Sequence, residues 1–94
     1  MNRPDEAVLA LVRDRGHALL MTHCNPDADA LGSLLGLAEM LEGQGKQVLS
    51  YLEEPVSPLY RFLPGAGRPQ TDMARVREFV NRAADDLVSI CLDC

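Results

Sequence analysis

Apolar positions along the chain fall into two alternating patterns. Residues 17–23 (His-Ala-Leu-Leu-Met-Thr-His), 46–52 (Lys-Gln-Val-Leu-Ser-Tyr-Leu) and 87–92 (Leu-Val-Ser-Ile-Cys-Leu) are short, nearly continuous apolar runs. Runs of that length without strict alternation predict strands buried on both faces. Between them the apolar spacing changes to three and four. Leu31, Leu34, Leu35, Ala38 and Leu41 share one face of a helix expected over residues 30–42, with Gly43 and Gly45 to end it. Met73, Val76, Phe79, Val80 and Ala83 form the inner stripe of another, capped by Asp72, with arginines outside. A first helix is expected from Pro4, on a stripe of Val8, Leu11 and Val12, stopping at Gly16 as its C′ residue.

Strand, helix and strand within a few dozen residues make a right-handed βαβ unit with parallel strands. The expected fold class is α/β: a three-layer sandwich on a parallel, Rossmann-like sheet, with three strands and three helices. Residues 53–70 hold Pro55, Pro58, Pro64 and Pro69 and read as an irregular connection, in which Leu59, Tyr60, Phe62 and Leu63 should pack as one short helical turn. The last apolar run looks like the middle of a sheet, yet the chain stops two residues after it. The expectation is therefore an N-terminal part of a larger domain, spanning residues 1–94, with exposed sheet edges that favour self-association.

Composition changes this picture little. Ninety-four residues, 47% hydrophobic and 24% charged, suit one globular domain. A net charge of −5 offers no electrostatic footprint for nucleic acid over the chain as a whole. The cysteines at 24, 91 and 94 are not a disulfide framework, and neither a leader-like nor a membrane-spanning apolar run occurs. A reduced, cytoplasmic setting is the expectation.

Candidate chemistry concentrates at one place. In open parallel sheets, sites form at the carboxyl ends of strands. His23 closes the first strand; Asp27 and Asp29 follow behind Pro26; Asp93 follows the third strand, which the topology can set beside the first. Singly, each has a structural reading: strand-end histidine, Asx-turn former, helix cap, solvated acid. Together they put one imidazole and three carboxylates at one edge. Two carboxylates about 4 Å apart repel by about 4 kcal/mol at a surface-like dielectric, whereas a helix dipole returns about 0.3–1 kcal/mol per charge. A divalent cation balances such a cluster, and imidazole–carboxylate ligation suits Mn²⁺. Paired ions of that kind serve phosphate-ester cleavage.

Other features weigh less. Cys91 and Cys94 have redox spacing, but the first is expected in a buried strand, so the pair reads as structural. A zinc site from His23, Cys24, Cys91 and Cys94 has no supporting ligand spacing. Gly32 and Gly36 read as close helix–sheet packing, and Arg75, Arg77 and Arg82 as a solvated helix face.

Residues 22–33 (Thr-His-Cys-Asn-Pro-Asp-Ala-Asp-Ala-Leu-Gly-Ser) resemble the first motif of the DHH phosphoesterase superfamily. The likeness is strongest to its bacterial oligoribonuclease/3′-phosphoadenosine-5′-phosphate phosphatase branch, often labelled exopolyphosphatase-related. Residues 60–66 (Tyr-Arg-Phe-Leu-Pro-Gly-Ala) resemble that branch's connection, and residues 86–94 its second motif, an aspartate ending a strand. Ala28 stands where a glycine is common. The resemblance implies two Mn²⁺ ions, with Mg²⁺ or Co²⁺ as substitutes: His23 and Asp27 on one, Asp29 on the other, Asp93 on both. It implies hydrolysis of phosphate esters in short oligonucleotides or nucleotide phosphates, by water activated between the ions. The Asp-His-His motif and the C-terminal substrate-binding domain of that superfamily are absent from these residues, so the chain alone is expected to be inactive. Two other readings stand beside it: a non-catalytic α/β interaction or regulatory module, and a relative acting on pyrophosphate or single-stranded DNA.

Overall fold

The computed structural model describes residue 10, residues 13–22 and residues 28–92. Three parallel strands, β1 (His17–Thr22), β2 (Gln47–Tyr51) and β3 (Leu87–Leu92), form one sheet in the order β2-β1-β3. Helix α1 (Ala28–Gly43) connects β1 to β2, and helix α2 (Met73–Ala83) precedes β3. Ala10, Arg13 and Asp14 are helical, but the rest of the expected first helix lies outside the described residues. Among the described residues, no helix is long and apolar enough to cross a membrane.

The register assigns the two faces. Ala18 and Leu20 of β1 are fully buried and cluster with Leu31, Leu34, Leu35, Ala38 and Leu41 of α1. Their partners in β3, Val88 and Ile90, pack against the same cluster. The alternate residues face the other way: the His17 ring meets Phe79 of α2 edge to face at 5.7 Å. The sheet is thus the middle of three layers, as its apolar runs predicted.

Local chemistry explains the boundaries. The α1 helix starts two residues earlier than expected, which moves Asp29 inside its first turn. It ends in a Schellman motif. Gly45 takes φ +86° and donates its N–H to Glu42 O (2.9 Å), while Lys46 N–H reaches Leu41 O (3.2 Å). The C′ residue is therefore Gly45, and Gly43 is still helical. Lys46 Nζ also donates to the carbonyls of Arg13 (3.3 Å) and Arg15 (2.7 Å). Asp72 caps α2 by accepting from Ala74 N–H at 2.9 Å.

Several expectations need correction. Within the described sheet the middle strand is β1, and β3 pairs only with β1 among the described residues; whether β3 is the middle of a larger sheet, as expected, lies outside them. Ser89 and Cys91 are exposed, because α2 packs chiefly against β1 and β2. Cys91 is accordingly not buried, although Cys94 lies outside the described residues. In the connection, Tyr60 and Leu63 pack against the core while Leu59 and Phe62 are 76% and 77% exposed. Those four residues follow successive turns, so only two of them reach the core. Met73 is 43% exposed, leaving the α2 stripe to begin at Val76. Gly32 and Gly36 are exposed, and a Cβ on either would meet no described atom within 4 Å; close helix–sheet packing is not their role.

Candidate active site

The carboxyl edge of the sheet is built by pairing. β1 and β3 run in register from His17↔Leu87 to Thr22↔Leu92, so both strands end level with each other. Adjacent strands lie about 4.8 Å apart. The next residues in sequence after these two ends are His23 and Asp93. β2 stops one step earlier on the other side of β1, at Met21↔Tyr51.

Of the four candidate ligands, Asp29 is described: it is exposed in the first turn of α1, where the helix dipole favours an anion. It forms no ion pair with another described residue. His23, Asp27 and Asp93 lie outside the described residues, as does Cys24 of the alternative zinc set. Among the described residues, no group of three or more His, Cys, Asp or Glu is placed to hold a metal ion. What the fold contributes is the frame: two level strand ends and the start of a helix one short connection away.

A second feature stands on the β2 side of this edge. The chain leaves β2 and turns back at Gln70, whose N–H donates to Ser50 O (2.7 Å) and whose carbonyl accepts from Leu52 N–H (2.9 Å). Between lies a cavity of about 440 Å³ lined by Pro55, Val56, Arg61, Ala66, Gly67, Pro69 and Thr71. Arg61 is exposed and forms no ion pair with another described residue, unlike Arg68, which pairs with Glu42, and Arg82, which pairs with Glu78.

The opposite, amino edge carries polar contacts that the sequence reading did not single out. Asp86 Oδ1 accepts from Gly16 N–H at 2.8 Å, and its Oδ2 lies 3.2 Å from His17 Nδ1. Gly16 O accepts in turn from Gln47 N–H at 2.9 Å, so one residue ties all three strands. The Gly16 N–H bond holds the Asp86 carboxyl below its ordinary range, helped by His17 and Arg15 and opposed by partial desolvation. A Cβ at Gly16 would lie 2.5 Å from Asp86 Oδ2, so glycine here permits the approach of a carboxylate. It does not serve as a positive-φ helix stop, as the sequence suggested. The available signal was positional: a polar residue just before each of two apolar runs that pair in parallel.

No family model and no curated protein matches the chain. Among solved structures, an exopolyphosphatase-related protein from Bacteroides fragilis superposes on 95% of this chain with a TM-score of 0.77 and 26% sequence identity. The chain covers 26% of that protein's length.

Proposed function

We propose that this chain supplies the metal-binding part of a phosphoesterase of the DHH type, acting on phosphate esters in short oligonucleotides or nucleotide phosphates. The observation that carries the reading is the register Thr22↔Leu92, which makes the strand ends preceding His23 and Asp93 neighbours. The similarity to an exopolyphosphatase-related protein supports the same reaction class.

In this reading His23, Asp27, Asp29 and Asp93 would hold the Mn²⁺ ions. The donor set is one imidazole and three carboxylates, which fits a borderline-hard divalent ion. Bound there, two such ions supply Lewis-acid activation of water and neutralise charge on the phosphoryl oxygens. The protein's own part is positional. The ends of β1 and β3, paired at Thr22↔Leu92, are the residues that precede His23 and Asp93 in the sequence, and Asp29 stands in the first turn of α1, where the helix dipole favours its negative charge. In this reading the 94-residue chain binds metal and does not by itself turn over substrate.

The test is Mn²⁺ binding to the chain, followed by electron paramagnetic resonance. Asp27→Ala and Asp93→Asn should each weaken binding at least about tenfold, or about 1.4 kcal/mol. If both bind Mn²⁺ as tightly as the parent, the ligand assignment is wrong. That result would favour an interaction module, a reading supported by the exposed Leu59 and Phe62 and by the β3 edge, unpaired among the described residues.

A further inference from the structure

The cavity beside β2 adds something that the acidic edge lacks: a cation. Its walls are apolar at Pro55, Val56, Ala66 and Pro69, and its polar side chains are Arg61 and Thr71. It is an open depression rather than an enclosed one, and its volume of about 440 Å³ falls within the range of about 300 to 1,000 Å³ for small-ligand sites. It is also pre-formed. Consecutive turns close the connection through Tyr60 N–H to Ser57 O (2.9 Å), Leu63 N–H to Tyr60 O (3.1 Å), Ala66 N–H to Leu63 O (3.1 Å) and Arg68 N–H to Gly65 O (3.0 Å). The Arg61 backbone N–H is bonded to Pro58 O, and its guanidinium forms no ion pair with another described residue.

We infer that this cavity is an anion subsite for a nucleoside monophosphate unit, with Arg61 on the phosphate and the proline–valine wall against the nucleoside. The argument is one of charge and surface. Arg presents a planar fork that matches phosphate oxygens. Here no described carboxylate occupies it. Glu53 and Glu54, just before Pro55, are exposed and form no ion pair with it. An inorganic phosphate chain would set several negative charges against one cation and an apolar wall, which desolvation disfavours. A nucleotide divides its charge and its apolar surface as the cavity does. The position suits the purpose, because the connection leaves β2 at the carboxyl edge of the sheet, beside the end of β1 at Met21↔Tyr51. This placement in catalysis rests on the phosphoesterase reading; binding at Arg61 does not.

The experiment is a titration of the isotopically labelled 94-residue chain, without metal, by adenosine 5′-monophosphate, adenosine and inorganic tripolyphosphate. The expected result is saturable movement of the Ala66, Gly67 and Thr71 amide resonances with the monophosphate. Tripolyphosphate and adenosine should each bind more weakly. Arg61→Ala should lower the monophosphate affinity at least about tenfold while keeping the parent spectrum, since its backbone bond remains. Arg77→Ala, an equal change of net charge on α2, should leave affinity unchanged. Equal monophosphate binding by Arg61→Ala and parent, an equal loss in Arg77→Ala, or tighter binding of tripolyphosphate would overturn the proposal. A separate Mn²⁺ titration, read as broadening of Thr22 and Leu92, fails only if the metal assignment fails.

Discussion

The two ends of the sheet are organised on opposite principles. At the amino edge, Gly16, His17 and Asp86 are joined by short polar contacts, and the carboxylate is tied down by protein groups. At the carboxyl edge, the described acid Asp29 has no ion-pair partner among the described residues, and Arg61 faces a cavity. Satisfied polar groups set strand pairing; polar groups left to a ligand set chemistry. If the proposed site stands, the difference teaches that stability and function should be separable by mutation in this chain, because the proposal puts them at opposite ends of the same three strands.

The core beneath both edges provides the largest expected effect. Leu20 is fully buried in β1 and belongs to the cluster that packs the sheet on α1. Leu20→Ala should cost about 2–5 kcal/mol, seen as a lower denaturant midpoint. It should also weaken Mn²⁺ binding at low denaturant, since both edges depend on β1. If the midpoint falls but metal binding is untouched, the two ends are less coupled than the shared strand implies.

The next test acts at the carboxyl edge alone. Asp93→Asn should lower Mn²⁺ affinity by about one to two orders of magnitude, or about 1.4–2.7 kcal/mol, while leaving the denaturant midpoint unchanged. A large change in midpoint without a change in affinity would move Asp93 into the structural class and reverse the comparison.

How much of this was legible in the sequence follows from what each feature depends on. The three strands and both described helices were readable from apolar spacing, because burial against a sheet or helix imposes that period directly. Strand order was not. Leu87 to Leu92 is as apolar as β1, yet β3 lies at the rim of the described sheet and exposes Ser89 and Cys91. Apolar content reports what a strand can bury, and a rim strand can be covered by something outside these residues. Leu59 and Phe62 mislead in the same way. That the third strand could end beside the first was legible, because parallel strands put their carboxyl ends on one edge. His23, Asp27 and Asp93 lie outside the described residues, so their geometry is not part of the frame. The Gly16–Asp86 contact was hidden, because it joins residues 70 apart and depends on register.

A smaller effect is expected where the chain turns into the amino edge. Ala83 to Asp86 is a tight turn closed by Asp86 N–H on Ala83 O at 3.0 Å, and Ala84 occupies it at φ 52°, ψ −121°. That is the first central position of a type II′ turn, where glycine is preferred because a Cβ is strained. Ala84→Gly should therefore raise stability by about 0.5–1 kcal/mol, with Mn²⁺ affinity unchanged. A loss of stability would mean that the entropy of the added glycine outweighs the strain relieved.

The smallest effect is the pH dependence of the amino edge, and it distinguishes the edges most cleanly. The Asp86 carboxyl is held below its ordinary value, first by Gly16 N–H and then by His17 and Arg15. A group whose folded pKa is depressed adds stability above its unfolded pKa and loses it as pH falls through the folded one. The unfolded value is about 3.9, so the part owed to the Gly16 N–H bond should be constant above about pH 5 and shrink below about pH 4. Comparing the parent with Asp86→Asn isolates it: the gap between their midpoints should narrow on acidification. Gly16→Ala should narrow the same gap at neutral pH, because its Cβ displaces the carboxylate from the bond that lowers its pKa. A gap that stays constant down to pH 3 would show that Asp86 contributes through shape alone. The amino edge would then lack the charge pairing that sets it apart from the carboxyl edge.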